Sequence, residues 1–219
     1  MWRNYLVEMD FQARLCGSVP MNKELVSAWV RSRMPKNKPE DAREIEEIEQ
    51  EAQESVEDLV EKTTLGFQRN GGPGLVVRGG TIKAHLKDCA NQIKDVVPNP
   101  KPVKSESKTG IKAFRSKVAN RVYVDEYWVP LLREGQPVQE EDGSYEQPVH
   151  VMTPMGPRNA LKVIRFVEKP TLRFTLRVLR DRQVTADTIK AILEYGAIHG
   201  YGGERGMGEG RYTFSLKEI

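Results

Sequence analysis

Leu172-Arg173-Phe174-Thr175-Leu176-Arg177-Val178 decides how this chain reads. Leu172, Phe174, Leu176 and Val178 alternate with Arg173, Thr175 and Arg177, so one face of the segment is apolar and the other cationic. That period of two is the mark of a half-buried strand. Downstream, Thr185 is placed to cap a helix whose apolar positions Ile189, Ile192, Leu193 and Ala197 recur at helical steps. Asp187 falls in its first turn, where the helix dipole favours an anion. A glycine-rich run and a last strand, Tyr212 to Leu216, follow. Upstream, Tyr5, Val7, Met9, Phe11, Ala13 and Leu15 share one face, which predicts a first strand over 5–15.

Between these ends the pattern is mixed. After Pro20, Asn22 is placed to cap a helix carrying Leu25, Val26, Trp29 and Val30, which ends before Pro35. Ile45, Ile48, Ala52, Val56 and Leu59 then form one narrow apolar stripe on an acidic amphipathic helix. Its place suggests an insertion packed by one seam, and a partner-binding helix fits the same stripe. Leu75 to Arg78 reads as a short strand, Gly79-Gly80-Thr81 as a tight turn, and Ile82, Leu86, Cys89 and Ile93 as one side of a helix. Such a helix start leaves backbone N–H groups unpaired, able to receive a phosphate. Pro98 to Thr109 is a Pro/Lys/Ser-rich loop, Val118 to Trp128 a strand region, and Glu141 to Ser144 a hairpin turn between Val138 and Val149. Strand and helix first, strands in the middle, helix and strand last: this order suits an α+β, ferredoxin-like (RRM-like) split βαβ sheet with helical and loop insertions. One domain spans 1–219 in this reading, with insertions at about 35–66 and about 98–160.

Composition narrows the function. With 219 residues the chain is long enough for a core, and no apolar run approaches the roughly 20 residues of a membrane span. No apolar stretch near Met1 resembles a secretory signal, so a cytoplasmic protein without a membrane partner is expected. Cys16 and Cys89 are too few for a disulfide framework, no Cys/His cluster offers a zinc site, and no cofactor is expected. The net charge of +3 hides an asymmetry. Glu40 to Glu61 holds eleven acids and one base, whereas Lys62 to Arg121 holds thirteen bases and three acids. A local excess of +10 favours a polyanion partner, because neutralised phosphates release counterions. A solvated Lys-rich loop accounts for the same charge equally well.

Gly200, Gly202, Gly203, Gly206, Gly208 and Gly210 place six glycines in eleven residues. The order helix, loop, strand excludes a dinucleotide fingerprint, and no Gly-Lys-Ser/Thr follows to make a P-loop. Val77-Arg78-Gly79-Gly80-Thr81-Ile82-Lys83-Ala84-His85-Leu86-Lys87 resembles the Pro-Gly-Ser-Ser-Leu-Lys-Gly-Ala-Leu-Arg strand-to-helix segment of the RAMP superfamily, the ferredoxin-like RNA-binding proteins of CRISPR effector complexes. Gly200 to Tyr212 is similar to that superfamily's C-terminal glycine-rich loop. Both motifs are most similar to those of subunits that polymerise along a guide RNA. His85 stands where the family usually has Gly, and the acidic insertion has no match there.

The resemblance implies an RNA-binding subunit of an antiviral CRISPR ribonucleoprotein that grips a guide-RNA backbone without sequence specificity. Its partners would be copies of itself and other effector subunits. Arg78, Lys83, Lys87, Arg205 and Arg211 would contact phosphates, while Gly79, Gly80, Gly202, Gly203, Gly206 and Gly208 would let backbone N–H groups approach. Tyr201, Tyr212 and Phe114 are candidates for base stacking, each also suited to the core. A metal-independent endoribonuclease is the alternative, with His199 and Tyr201 near the scissile phosphate. His85 belongs beside the apolar stripe of its helix, His150 carries no motif, and Asp10, the one early candidate for a nuclease Asp, falls within the first strand. A protein-interaction module without nucleic acid is the third reading.

Overall fold

A computed structural model describes residues 1–21, 62–72, 74–100, 102, 108–153 and 156–219. The expected helices around Leu25–Val30 and Ile45–Leu59 lie outside the described residues. The described residues form twelve strands and three α-helices: β1 (Trp2–Phe11), β2 (Arg14–Cys16), β3 (Val19–Pro20), β4 (Lys62–Gly66), β5 (Val76–Arg78), α1 (Gly79–Gln92), α2 (Phe114–Arg121), β6 (Val122–Val124), β7 (Trp128–Arg133), β8 (Gln136–Pro137), β9 (Gly143–Thr153), β10 (Gly156–Glu168), β11 (Thr171–Leu179), α3 (Ala186–His199) and β12 (Tyr212–Glu218). The chain divides into two compact units, one of Met1–Cys16, Gln68–Asp142 and Val167–Ile219, the other of Gly17–Phe67 and Gly143–Phe166. This is a mixed α+β architecture, mostly strands.

In the first unit the strands run in the order β12-β1-β11-β7-β5, with β6 also on β11 and β8 on β7. β1 pairs antiparallel with β11 and with β12. The alternation read from sequence does its work here: Tyr5, Val7, Met9 and Phe11 of β1, and Leu172, Phe174, Leu176 and Val178 of β11, are all buried. Ile82, Leu86 and Cys89 of α1 and Ile189, Ile192 and Leu193 of α3 are buried as well. Each such side chain contributes about 1.5–3 kcal/mol by leaving water. Thr185 caps α3 through a capping box with Thr188. The outer face of β11 is less cationic than its sequence suggests. Register places Arg173 opposite Glu8, which it meets at 2.7 Å, and Arg177 reaches Asp125 at 2.7 Å.

Three local expectations are corrected. The first strand breaks after Phe11, so Ala13 is exposed rather than core. Val118 to Arg121 is not strand but the end of α2, entered through Ala113 in the left-handed region at φ 56°. The hairpin turn is not at Glu141–Ser144 but at Glu134-Gly135, whose φ values of 51° and 79° supply the left-handed pair that a type I′ turn between β7 and β8 requires. Asp142 instead pairs with Arg133 and accepts the Glu168 N–H at 2.7 Å. In the loop from Pro98, Asn99 N–H donates to Lys108 at 2.9 Å, and 103–107 lie outside the described residues.

In the second unit, β9 and β10 form an antiparallel hairpin, β4 pairs parallel with β10, and β3 pairs antiparallel with β4.

Candidate nucleic-acid interface

The junction of β5 and α1 is built by a close backbone crossing. Arg78 is opposite Trp128 in the β5–β7 register, and its guanidinium lies 5.1 Å from the Trp128 ring centroid. The chain turns into α1 at Gly79, where a Cβ would collide with the carbonyl oxygen of Glu126. Gly79 N–H donates to Tyr127 O at 3.0 Å. Gly80 is exposed, with nothing near the position of a Cβ. No side chain caps the helix start.

The glycine-rich run lies against this helix. Thr81 Oγ1 donates to Arg78 O at 2.7 Å, and the same oxygen is 2.7 Å from the Tyr201 hydroxyl. With its one hydrogen given to Arg78, Thr81 accepts from Tyr201. Arg205 Nη1 reaches Asp88 at 3.4 Å and His199 Nε2 at 3.0 Å, tying the loop to α1 a second time. Arg205 can only donate, so His199 Nε2 is the acceptor of that bond. The loop's own shape depends on Gly210, which at φ 72° passes so close to Tyr201 O that a Cβ would collide with it. Tyr201 N–H donates to Gly210 O and Gly210 N–H to Arg14 O, each at 2.9 Å.

Beneath this contact sits a buried polar cluster. His85 Nε2 is 3.1 Å from Tyr212 Oη, and Cys89 Sγ is 3.7 Å from both His85 nitrogens. Burial, reinforced by the charge of Arg205, holds the His85 imidazole down at about 4, so it is neutral at pH 7. Burial likewise pushes the Cys89 thiol up to about 12, the Tyr201 phenol up to about 12, and Tyr212 well above the ordinary range. Gly196 of α3 leaves the room for this packing, since its Cβ would stand 2.8 Å from His85 Nε2 and closer still to Tyr212 Oη.

The residues nominated from sequence therefore sort into groups. Arg78 and Arg211 are exposed, Lys83 and Lys87 half-buried, and among the described residues none of the four pairs with a carboxylate. Arg205 does, through Asp88. Gly79, Gly203 and Gly208 already donate their N–H groups, to Tyr127, Cys16 and Arg205 respectively, and have none left for a phosphate. Gly80 and Gly206 keep open space around them, whereas Gly202 is packed on Leu15. Phe114, Tyr201 and Tyr212 are core, 5% exposed or less, and their rings cannot receive a base. Tyr201 is also withdrawn from the catalytic pair suggested with His199, its hydroxyl being buried on Thr81. His199 itself stacks on Tyr195, the ring centroids 5.4 Å apart.

Sequence reasoning missed the partners Thr81 and Asp88 and a set of exposed rings. Tyr127 is 67% exposed and meets Trp128 edge-on at 5.0 Å. Tyr123 is 40% exposed, with Lys83 Nζ 3.9 Å from its centroid and Trp2 edge-on at 5.9 Å. Among the described residues no group of three or more His, Cys, Asp or Glu could hold a metal ion, and no helix is long and apolar enough to cross a membrane.

No family model matches the sequence, and no curated protein matches it. Among solved structures, the chain is similar to a chain of a Type IV-B CRISPR complex, at 12% identity and a TM-score of 0.47, over 98% of this chain and 90% of that one. It is also similar to a chain of the Type III-B Cmr-beta bound to cognate target RNA, at 11% identity and a TM-score of 0.46, over 100% of this chain and 61% of that one.

Proposed function

We propose that this chain is an RNA-binding, RAMP-like subunit of a CRISPR-type ribonucleoprotein, holding the sugar–phosphate backbone of a guide RNA without reading its sequence. One juxtaposition supports the reading: residues 120 positions apart, Thr81 and Tyr201, share a hydrogen bond, so the glycine-rich loop packs beside the start of α1. Arg78, Lys83, Lys87 and Arg211, which among the described residues pair with no carboxylate, are the phosphate contacts in this reading. Arg205 acts first as a tie to Asp88. The order β12-β1-β11-β6, with α1 between β1 and β6 in the chain and α3 leading into β12, supports a ferredoxin-like sheet as the platform. Phosphate contacts position a strand and carry no base information, which fits low specificity. Partners in this reading are the RNA, further copies of the chain and other effector subunits.

The test is what co-purifies. Protein purified at low salt should carry RNA, visible as a raised 260/280 nm ratio and a band on a denaturing gel. A preparation free of nucleic acid that also fails to retain an added single-stranded RNA at 50 mM salt would remove the reading. Cleavage of a hairpin RNA, lost in His199→Ala with binding kept, would favour the endoribonuclease instead.

A further inference from the structure

We propose that the exposed Tyr127 ring, set beside Arg78 and backed by the half-buried Trp128, is a stacking shelf for an unpaired base of the bound strand. This rests on the RNA-binding reading and specifies what that site takes. Three observations point to it. First, large aromatic rings are exposed where the cations are: Tyr127 at 67% and Tyr123 at 40%, beside Arg78 and Lys83. Alternating rings and cations suit a strand that offers both π-faces and phosphates.

Second, the backbone that carries the shelf is fixed by contacts that leave the Tyr127 ring outside. Asp125 N–H donates to Thr175 O at 3.0 Å, Glu126 accepts the Thr175 N–H at 2.9 Å, and Tyr127 O accepts from Gly79. Tyr127 and Trp128 meet edge-on at an interplanar angle of 90°, with Arg78 against Trp128. A ring positioned in advance loses little entropy on binding. Third, the acids of the segment are spent internally. Asp125 pairs with Arg177 and Glu126 holds the backbone, so the charges set against the exposed rings are those of Arg78 and Lys83.

The experiment uses the full chain and two labelled probes of equal length, oligo(U) RNA and an abasic ribose–phosphate strand, at one salt concentration. Wild type should bind oligo(U) about fivefold or more tightly than the abasic strand, the low end of what one stacked base is worth. Tyr127→Ala should lose that preference, and Tyr127→Phe should keep it. Since Tyr127 is exposed, the variants should melt with wild type. Equal affinity of wild type for both probes, or a preference that survives Tyr127→Ala, overturns the shelf while leaving backbone binding standing. Failure to bind either probe sinks the RNA-binding reading, and the shelf with it. Displacement of oligo(U) by polyglutamate of equal charge, as effectively as by unlabelled oligo(U), would assign the surface to an acidic polypeptide and overturn the shelf.

Discussion

Lowering the pH from 7 to 4 should act on His85 before any carboxylate. In the folded chain its imidazole resists protonation until about pH 4, because it is 5% exposed and lies near Arg205, whereas in the unfolded chain it takes a proton near 6.5. Below pH 6.5 the unfolded state therefore binds more protons than the folded one, and stability falls as pH falls. The loss grows by about 1.4 kcal/mol per pH unit and levels off near pH 4 at about 3 kcal/mol. Asp142 and Asp181, whose pKa values are lowered on folding, act in the same direction but only around and below their ordinary pKa of 3.8. Urea unfolding at pH 7, 6, 5 and 4.5 reads the slope, and His85→Asn, which lacks a titrating ring, supplies the reference. The difference between the two slopes isolates His85, since both proteins share every carboxylate. Parallel curves for wild type and variant over pH 6.5–4.5 would refute the buried, neutral His85.

Three further outcomes follow from the same region. Thr81→Val removes the acceptor of the buried Tyr201 hydroxyl and should cost about 1–3 kcal/mol in urea unfolding, with faster amide exchange across 200–210. Gly196→Ala gains about 1 kcal/mol of helix propensity but drives a methyl group into Tyr212 and His85, so a net loss in melting temperature is expected. Cys16 and Cys89 are both buried, and Cys89 is held protonated, so neither should react with a thiol reagent until the protein is unfolded.

What periodicity encodes was legible. The buried sides of β1, β11, α1 and α3 are those the apolar spacing marks, because each element packs one face and the pattern records which. What tertiary contact decides was not. Tyr123, Tyr127 and Trp128 read as strand residues, and only the folded chain shows two of them standing out beside Arg78 and Lys83. Helix α2 escaped because its charged residues leave just Phe114 and Val118 buried, too few for a stripe. The glycines were legible as a loop but not by role. Gly79 and Gly203 have their N–H groups taken by Tyr127 and Cys16, and no local sequence feature announces such partners. Arg205 read as a phosphate contact, and the structure pairs it with Asp88 of α1, 117 positions away.

The most direct test of a single cationic surface is the salt dependence of RNA binding. The slope of log K against log salt should be steep for wild type. It should fall by about 0.7 for each phosphate contact removed from a single strand, in Arg78→Ala at the helix start and in Arg211→Ala at the far end of the glycine loop alike. A slope that neither substitution changes, or that changes for Arg78 alone, would contradict one strand being held by both stretches.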